Sequence, residues 1–136
     1  MLAPMPRILI TTGDPAGIGP EVIELALASG NLPHGFDFEV IGDRTAGIPG
    51  KPDKRSAAAA LAALDQAADA LKQGTADAVV TGPVSKEGLQ ALGFPYPGQT
   101  EYFANAFGVR DFGMMLTGNT LTVALATIHE PLVKVP

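Results

Sequence analysis

The stretch Arg7-Ile8-Leu9-Ile10-Thr11-Thr12, stopped by Gly13 and followed by Gly19-Pro20-Glu21, constrains the fold more than any other part of the chain. A short β-branched run ended by glycine reads as a strand, and Pro20 suits a first helical position, where its missing N–H leaves nothing unsatisfied. Glu21 complements the positive end of that helix, and Val22, Ile23, Leu25, Ala26 and Leu27 supply its expected apolar face. The unit is strand, tight loop, helix, the building block of an α/β fold. The loop between them, Gly13-Asp14-Pro15-Ala16-Gly17-Ile18-Gly19, admits two readings. Its backbone N–H groups could face an anion at the helix start, or its glycines could let helix and strand pack closely. The spacing matches neither G-x-G-x-x-G nor G-x-x-x-x-G-K-[ST], and Asp14 reads as a turn residue before it reads as a catalytic acid.

The pattern then repeats. Phe38 to Ile41 is a second expected strand, and Gly42 to Arg55 is a polar loop broken by Pro49, Gly50 and Pro52. Ser56 is the expected N-cap of an alanine-rich helix running to about Gln73, with Leu61, Leu64, Ala68 and Leu71 on one face and Gly74 at its end. His34 falls in a Gly/Pro-flanked surface connection.

A third strand, Ala78-Val79-Val80, breaks into Thr81-Gly82-Pro83-Val84-Ser85-Lys86, and shortly after comes Pro97-Gly98-Gln99-Thr100-Glu101. Ligands of open α/β sheets sit beyond the carboxyl ends of strands, so this edge is the expected binding region. Lys86, the only cation of the stretch, is a candidate anion contact, or else a solvated lysine in a first helical turn. Val84 to Leu92 suits a short helix, and Thr100 is the expected cap of another whose apolar stripe is Tyr102, Phe103, Ala106 and Phe107. Phe112 to Leu116 and Leu121 to Ala126 read as two strands of a hairpin joined at Thr117-Gly118-Asn119-Thr120. His129 follows the second of them, in a place suited to a ligand, an acid/base group or a hydrogen-bonded structural residue.

Composition narrows the partners. A chain of 136 residues with 46% hydrophobic content is expected to form a single α/β domain over residues 1-136, burying roughly two-thirds of its unfolded surface. A net charge of −5 without a basic run disfavours nucleic acid and anionic membranes. The absence of cysteine leaves only histidine and oxygen ligands for any metal. No apolar run is long enough to span a bilayer and no basic-then-apolar leader opens the chain, so a soluble cytoplasmic protein is expected.

Four stretches together carry a resemblance: Thr12-Gly13-Asp14-Pro15-Ala16-Gly17-Ile18-Gly19-Pro20-Glu21, Thr81-Gly82-Pro83-Val84-Ser85-Lys86, Gly98-Gln99-Thr100-Glu101, and Val123-Ala124-Leu125-Ala126-Thr127-Ile128-His129 with Pro131-Leu132. In this order they resemble the 4-hydroxythreonine-4-phosphate dehydrogenases (PdxA family) of pyridoxal phosphate biosynthesis. The resemblance implies a partial isocitrate/isopropylmalate dehydrogenase-like fold, made of strand-loop-helix units plus a C-terminal hairpin. It also implies a homodimer that oxidises, then decarboxylates, 4-phosphohydroxy-L-threonine with NAD and a divalent metal (Zn, Mg or Co) stabilising the developing alkoxide.

Matched residue by residue, His129 corresponds to the first of three metal-binding histidines. Gln99 and Thr100 correspond to a His-Thr pair that contacts the substrate. Gln99 departs from that pair, since an amide hydrogen-bonds but neither carries a positive charge nor shuttles a proton. No catalytic or NAD-binding residue is assigned. The resemblance covers nearly all of this chain but less than half of a typical member: it is the N-terminal portion, truncated, with an internal deletion around Gly42 to Arg55. Two other readings stay open, a relative acting on another diol or hydroxy acid and a non-catalytic remnant that binds a phosphorylated ligand or a partner.

Overall fold

A computed structural model describes residues 4–128 and 130–135. Three strands, β1 (Arg7–Thr11), β2 (Asp37–Ile41) and β3 (Ala78–Thr81), form a parallel sheet in the order β2-β1-β3. Ile10 at its centre is paired with Val40 on one side and Val80 on the other. Parallel neighbours need a crossover between them, and helices α1 (Gly19–Ala28) and α2 (Lys54–Lys72) supply it. Beyond β3 come two short helices, α3 (Lys86–Ala91) and α4 (Gln99–Ala106). An antiparallel hairpin of β4 (Met114–Thr117) and β5 (Thr122–Leu125) follows, then a 3₁₀ turn at Leu132–Lys134.

The core lies on the face of the sheet that α2 crosses. Ala57, Ala60, Ala63, Leu64, Ala67 and Ala68 recur at three- and four-residue spacing and are all buried, with Leu64 fully so. Alanine is what permits this contact, because a helix whose inward face is mostly methyl groups can lie close against β1, β2 and β3. Leu9, Ile41, Ala67 and Ala76 form one buried cluster. Leu64, Leu89 and Phe94 form a second, which carries the packing from α2 to α3 and to the turn before α4.

Two helix starts differ from the sequence expectation. The N-cap of α2 is Asp53, with Ser56 at the third helical position: Asp53 Oδ1 accepts from Ser56 N at 2.8 Å, and Ser56 Oγ accepts from Asp53 N at 3.1 Å. This is a reciprocal capping box; Lys54 and Arg55 are good helix formers and extend the helix toward Asp53. Gly98, in extended backbone, begins α4 without any side-chain cap, so Thr100 lies inside the helix and is exposed.

The larger difference is α1. Its apolar residues are not covered: Val22 and Leu25 are exposed, and of the whole helix only Gly19 is buried. An amphipathic pattern states what a helix can bury, whereas what covers it depends on the rest of the assembly. The stripe of α4 is intermediate, with Tyr102 and Phe103 half-buried and Phe107 exposed. Among the described residues no helix is long and apolar enough to cross a membrane.

Candidate functional site

The turns that follow β1 and β3 are bonded to each other. Gly82 N donates both to Thr11 O (3.0 Å) and to Thr11 Oγ1 (3.1 Å), and Asp14 N donates to Pro83 O (2.9 Å). Glycine is required at this crossing. A Cβ on Gly82 would meet Thr11 O at 2.5 Å and Gly13 N at 2.7 Å, while Gly13 itself has φ +70° and faces the Pro83 backbone. Asp14 is buried, and its Oδ1 accepts from Ala16 N at 2.8 Å, the geometry of an Asx turn. Gly17 N is likewise engaged, by Asp14 O at 2.9 Å. Two N–H groups of the Gly13–Gly19 loop are therefore committed internally, which favours the close-packing reading of that loop over an anion cradle.

Ser85 caps α3, accepting from Gly88 N at 3.1 Å, and so sets Lys86 at the first position of that helix. The chain then turns at Gly93, and Phe94 buries its ring against Leu64 and Leu89. Stacked and edge-on contacts join Phe94, Tyr96 and Tyr102. Tyr102 Oη donates to Asp65 on α2, and Asn105 Nδ2 donates to Tyr96 Oη at 2.7 Å. Burial, with Asp65 as acceptor and negative neighbour, raises the Tyr102 phenol well above the usual tyrosine range. This framework fixes α4 relative to the exit of β3.

Between them lies a cavity of about 620 Å³. Lys86, Gln99 and Thr100, the three described residues singled out in the sequence, all line it. Thr81 and Pro83 form part of its wall, and Met114 and Ile128 close it from the side of the hairpin. His129, the expected metal ligand, lies outside the described residues. Among those residues no group of three or more His, Asp, Glu or Cys is placed to hold a metal ion. The described residues thus do not by themselves fit a divalent metal.

The cavity also shows what sequence reasoning missed. Glu101 lines it opposite in sign to Lys86, and the signal was available: Glu101 is the third helical residue of α4, where a carboxylate is favoured and lies near the first. Among the described residues neither Lys86 nor Glu101 makes an ion pair. Gln99 makes a bond that no local pattern announces, its Nε2 donating to Gly82 O at 3.2 Å. Its Oε1 is buried and has no hydrogen-bond partner among the described residues.

The family model described as pyridoxal phosphate biosynthetic protein PdxA matches residues 22–136. A 4-hydroxythreonine-4-phosphate dehydrogenase of Acidithiobacillus ferrooxidans is 37% identical over 169 residues, taking in 96% of this chain and 50% of the relative. One from Synechocystis sp. is 36% identical over 173 residues, with 97% of this chain and 50% of the relative covered. Both alignments are longer than this 136-residue chain, so the relatives carry internal residues that it lacks. Among solved structures, a 4-hydroxythreonine-4-phosphate dehydrogenase of Klebsiella pneumoniae superposes with a TM-score of 0.74 at 25% identity, covering 96% of this chain and 52% of that one. One of Burkholderia phymatum gives 0.73 at 26%, covering 95% and 52%. The chain spans about half the length of the curated relatives it matches. Its fold is accordingly a partial isocitrate/isopropylmalate dehydrogenase-like α/β fold.

Proposed function

The chain belongs to the PdxA family, and on that premise we propose that its cavity is the substrate-binding part of a 4-hydroxythreonine-4-phosphate dehydrogenase. The proposed activity is NAD-dependent, divalent-metal-assisted oxidation of 4-phosphohydroxy-L-threonine, followed by decarboxylation. One observation carries this reading: Lys86, Gln99 and Thr100, from two separate motifs, converge on one cavity just beyond the carboxyl end of β3. That is where open parallel sheets receive ligands.

In this reading Lys86 supplies a point charge for the phosphate, and the Thr100 hydroxyl, exposed on the first turn of α4, adds a hydrogen bond. Met114, Ile128 and the Phe94–Tyr96 pair exclude water from one side, which strengthens both contacts. NAD would supply the hydride acceptor. A divalent ion (Zn, Mg or Co) would take His129 as one ligand, with its remaining ligands coming from groups beyond those described. Exposed apolar residues on α1 and on the hairpin support a homodimer. Family membership, together with a cysteine-free acidic chain, supports a cytoplasmic setting.

Calorimetric titration with 4-phosphohydroxy-L-threonine tests the site without requiring turnover. Lys86→Ala is expected to weaken binding about tenfold and Thr100→Ala by a smaller factor. Unchanged affinity in both variants overturns the reading.

A further inference from the structure

The turn at Asp14 leaves one carboxylate oxygen unused. Asp14 is only 4% exposed. Its N–H donates to Pro83 O, its carbonyl accepts from Gly17 N, and its Oδ1 accepts from Ala16 N. Oδ2 has no partner among the described residues. Nor is it sealed from solvent, since the buried side-chain atoms that lack a partner among those residues are Thr12 Oγ1 and Gln99 Oε1. The open space beside Asp14 is a crevice made of two hollows of about 250 Å³ each, which meet at Asp14, Pro52 and Ser85.

The two hollows differ in chemistry. One is walled largely by apolar groups, among them Ala16, Ile18, Pro83 and Val84. The other sets Asp53 and Glu87 against a single cation, Lys54, which pairs with no acid among the described residues. With Asp14 the balance is three carboxylates to one ammonium, so the polar end attracts cations and repels anions. A mostly buried carboxylate oxygen with a free lone pair is best satisfied by a charged donor. Because Oδ1 is already committed inside the turn, a single oxygen is on offer, which suits the point charge of an ammonium better than a two-pronged guanidinium. Among the described residues these acids do not converge as metal ligands, which leaves an organic cation.

We propose that this crevice binds a small aliphatic amine, whose ammonium donates to Asp14 Oδ2 and whose hydrocarbon stem lies in the apolar hollow beside Ile18 and Val84. The site is distinct from the cavity assigned to the substrate. The two share Pro83 and Val84 as a wall, but no residue of α4 lines the crevice.

Calorimetry on the full 136-residue chain tests the assignment with n-butylamine, protonated at neutral pH, and with 1-butanol, which keeps the stem and lacks the charge. The amine is expected to bind one site with a dissociation constant of about 1 mM, and the alcohol about tenfold more weakly. Asp14→Asn keeps an acceptor for the turn and replaces the free oxygen by a donor. It is expected to abolish the preference for the amine while leaving the unfolding temperature unchanged. Absence of saturable amine binding, or equal binding by Asp14→Asn, overturns the proposal. Tighter binding of Nα-acetyl-L-lysinamide than of n-butylamine overturns it in favour of a lysine side chain of a protein partner.

A measurement on the unaltered chain keeps the assignment open to refutation should Asp14→Asn fold poorly. On titration with n-butylamine, the backbone amide resonances of Ala16, which donates to the same carboxylate, and of Gly88 are expected to shift saturably. That of Thr100, in the larger cavity, is expected to hold its position. No saturable shift at Ala16 overturns the proposal, wherever else the amine binds.

Discussion

Helix α2 and the β4–β5 hairpin are both rich in apolar residues, yet among the described residues the first is the most buried element and the second is almost wholly exposed. Every inward residue of α2 from Ala57 to Ala68 is buried, whereas Met115 and Leu116 on β4 are 64% and 58% exposed. Content does not explain the contrast. The apolar positions of α2 recur at helical spacing and are mostly alanine, so a single face can lie flat on three strands. The hairpin has two faces, each strand offers apolar residues to both, and no described element covers either. Burial therefore follows from having a partner surface of matching shape.

The sharpest way to test that contrast is to truncate one leucine in each region. Leu64→Ala removes a fully buried side chain and is expected to destabilise by about 2–5 kcal/mol. Leu116→Ala is expected to cost less than about 0.5 kcal/mol. Urea denaturation of both variants decides it, and equal losses would mean that the hairpin is packed as tightly as α2. Leu116→Glu should also leave stability nearly unchanged while lowering light scattering by the protein, if this surface mediates self-association.

Two glycines extend the comparison to the backbone. Gly13→Ala places a methyl group into the Pro83 backbone at a positive φ, with an expected loss of about 1–3 kcal/mol in thermal or urea unfolding. Gly113→Ala, beside the hairpin, meets nothing within 4 Å and is expected to be neutral or stabilising by up to about 1 kcal/mol. A smaller loss is expected at the start of α2, where Asp53→Ala removes half of the capping box and about 1 kcal/mol.

The smallest expected effect is one of pH. Because the folded state raises the Tyr102 phenol above its unfolded value, the stability it contributes is fully present below the ordinary tyrosine pKa. That stability is lost as pH rises from there through the folded value. Phenolate absorbance should show one tyrosine titrating late in base, and Tyr102→Phe should remove that component. A late component that persists in the variant would reassign it.

Local chemistry made much of the fold legible. The runs at Ile8–Ile10, Phe38–Ile41 and Ala78–Val80 are mostly β-branched or aromatic and end near glycine, so their strands fall within a residue or two of expectation. Helix starts were harder to place. Ser56 and Asp53 are both good capping residues, and the choice between them depended on whether Lys54 and Arg55 would join the helix. The exposed face of α1 was illegible for a different reason, since its pattern is the same whether or not something covers it.

In the site, Lys86, Gln99 and Thr100 were legible as polar residues beyond a strand end, and the cavity gathers all three. The bond from Gln99 to Gly82 was not, because it joins residues 17 apart through a turn whose shape depends on β1. Glu101 was visible at the favoured third position of its helix and went unused.

Gly82 is held from two directions, its N–H by Thr11 of the central strand and its carbonyl by Gln99 of α4. Mechanically it is a pinned joint between a rigid plate and a short lever. Helix α4 is held at that joint by Gln99 and one turn on by Tyr102, bonded to Asp65 of α2, so moving it to widen or narrow the cavity would load both bonds. The cavity wall at Gln99 is thereby coupled to the end of β1 through a single residue of the turn after β3.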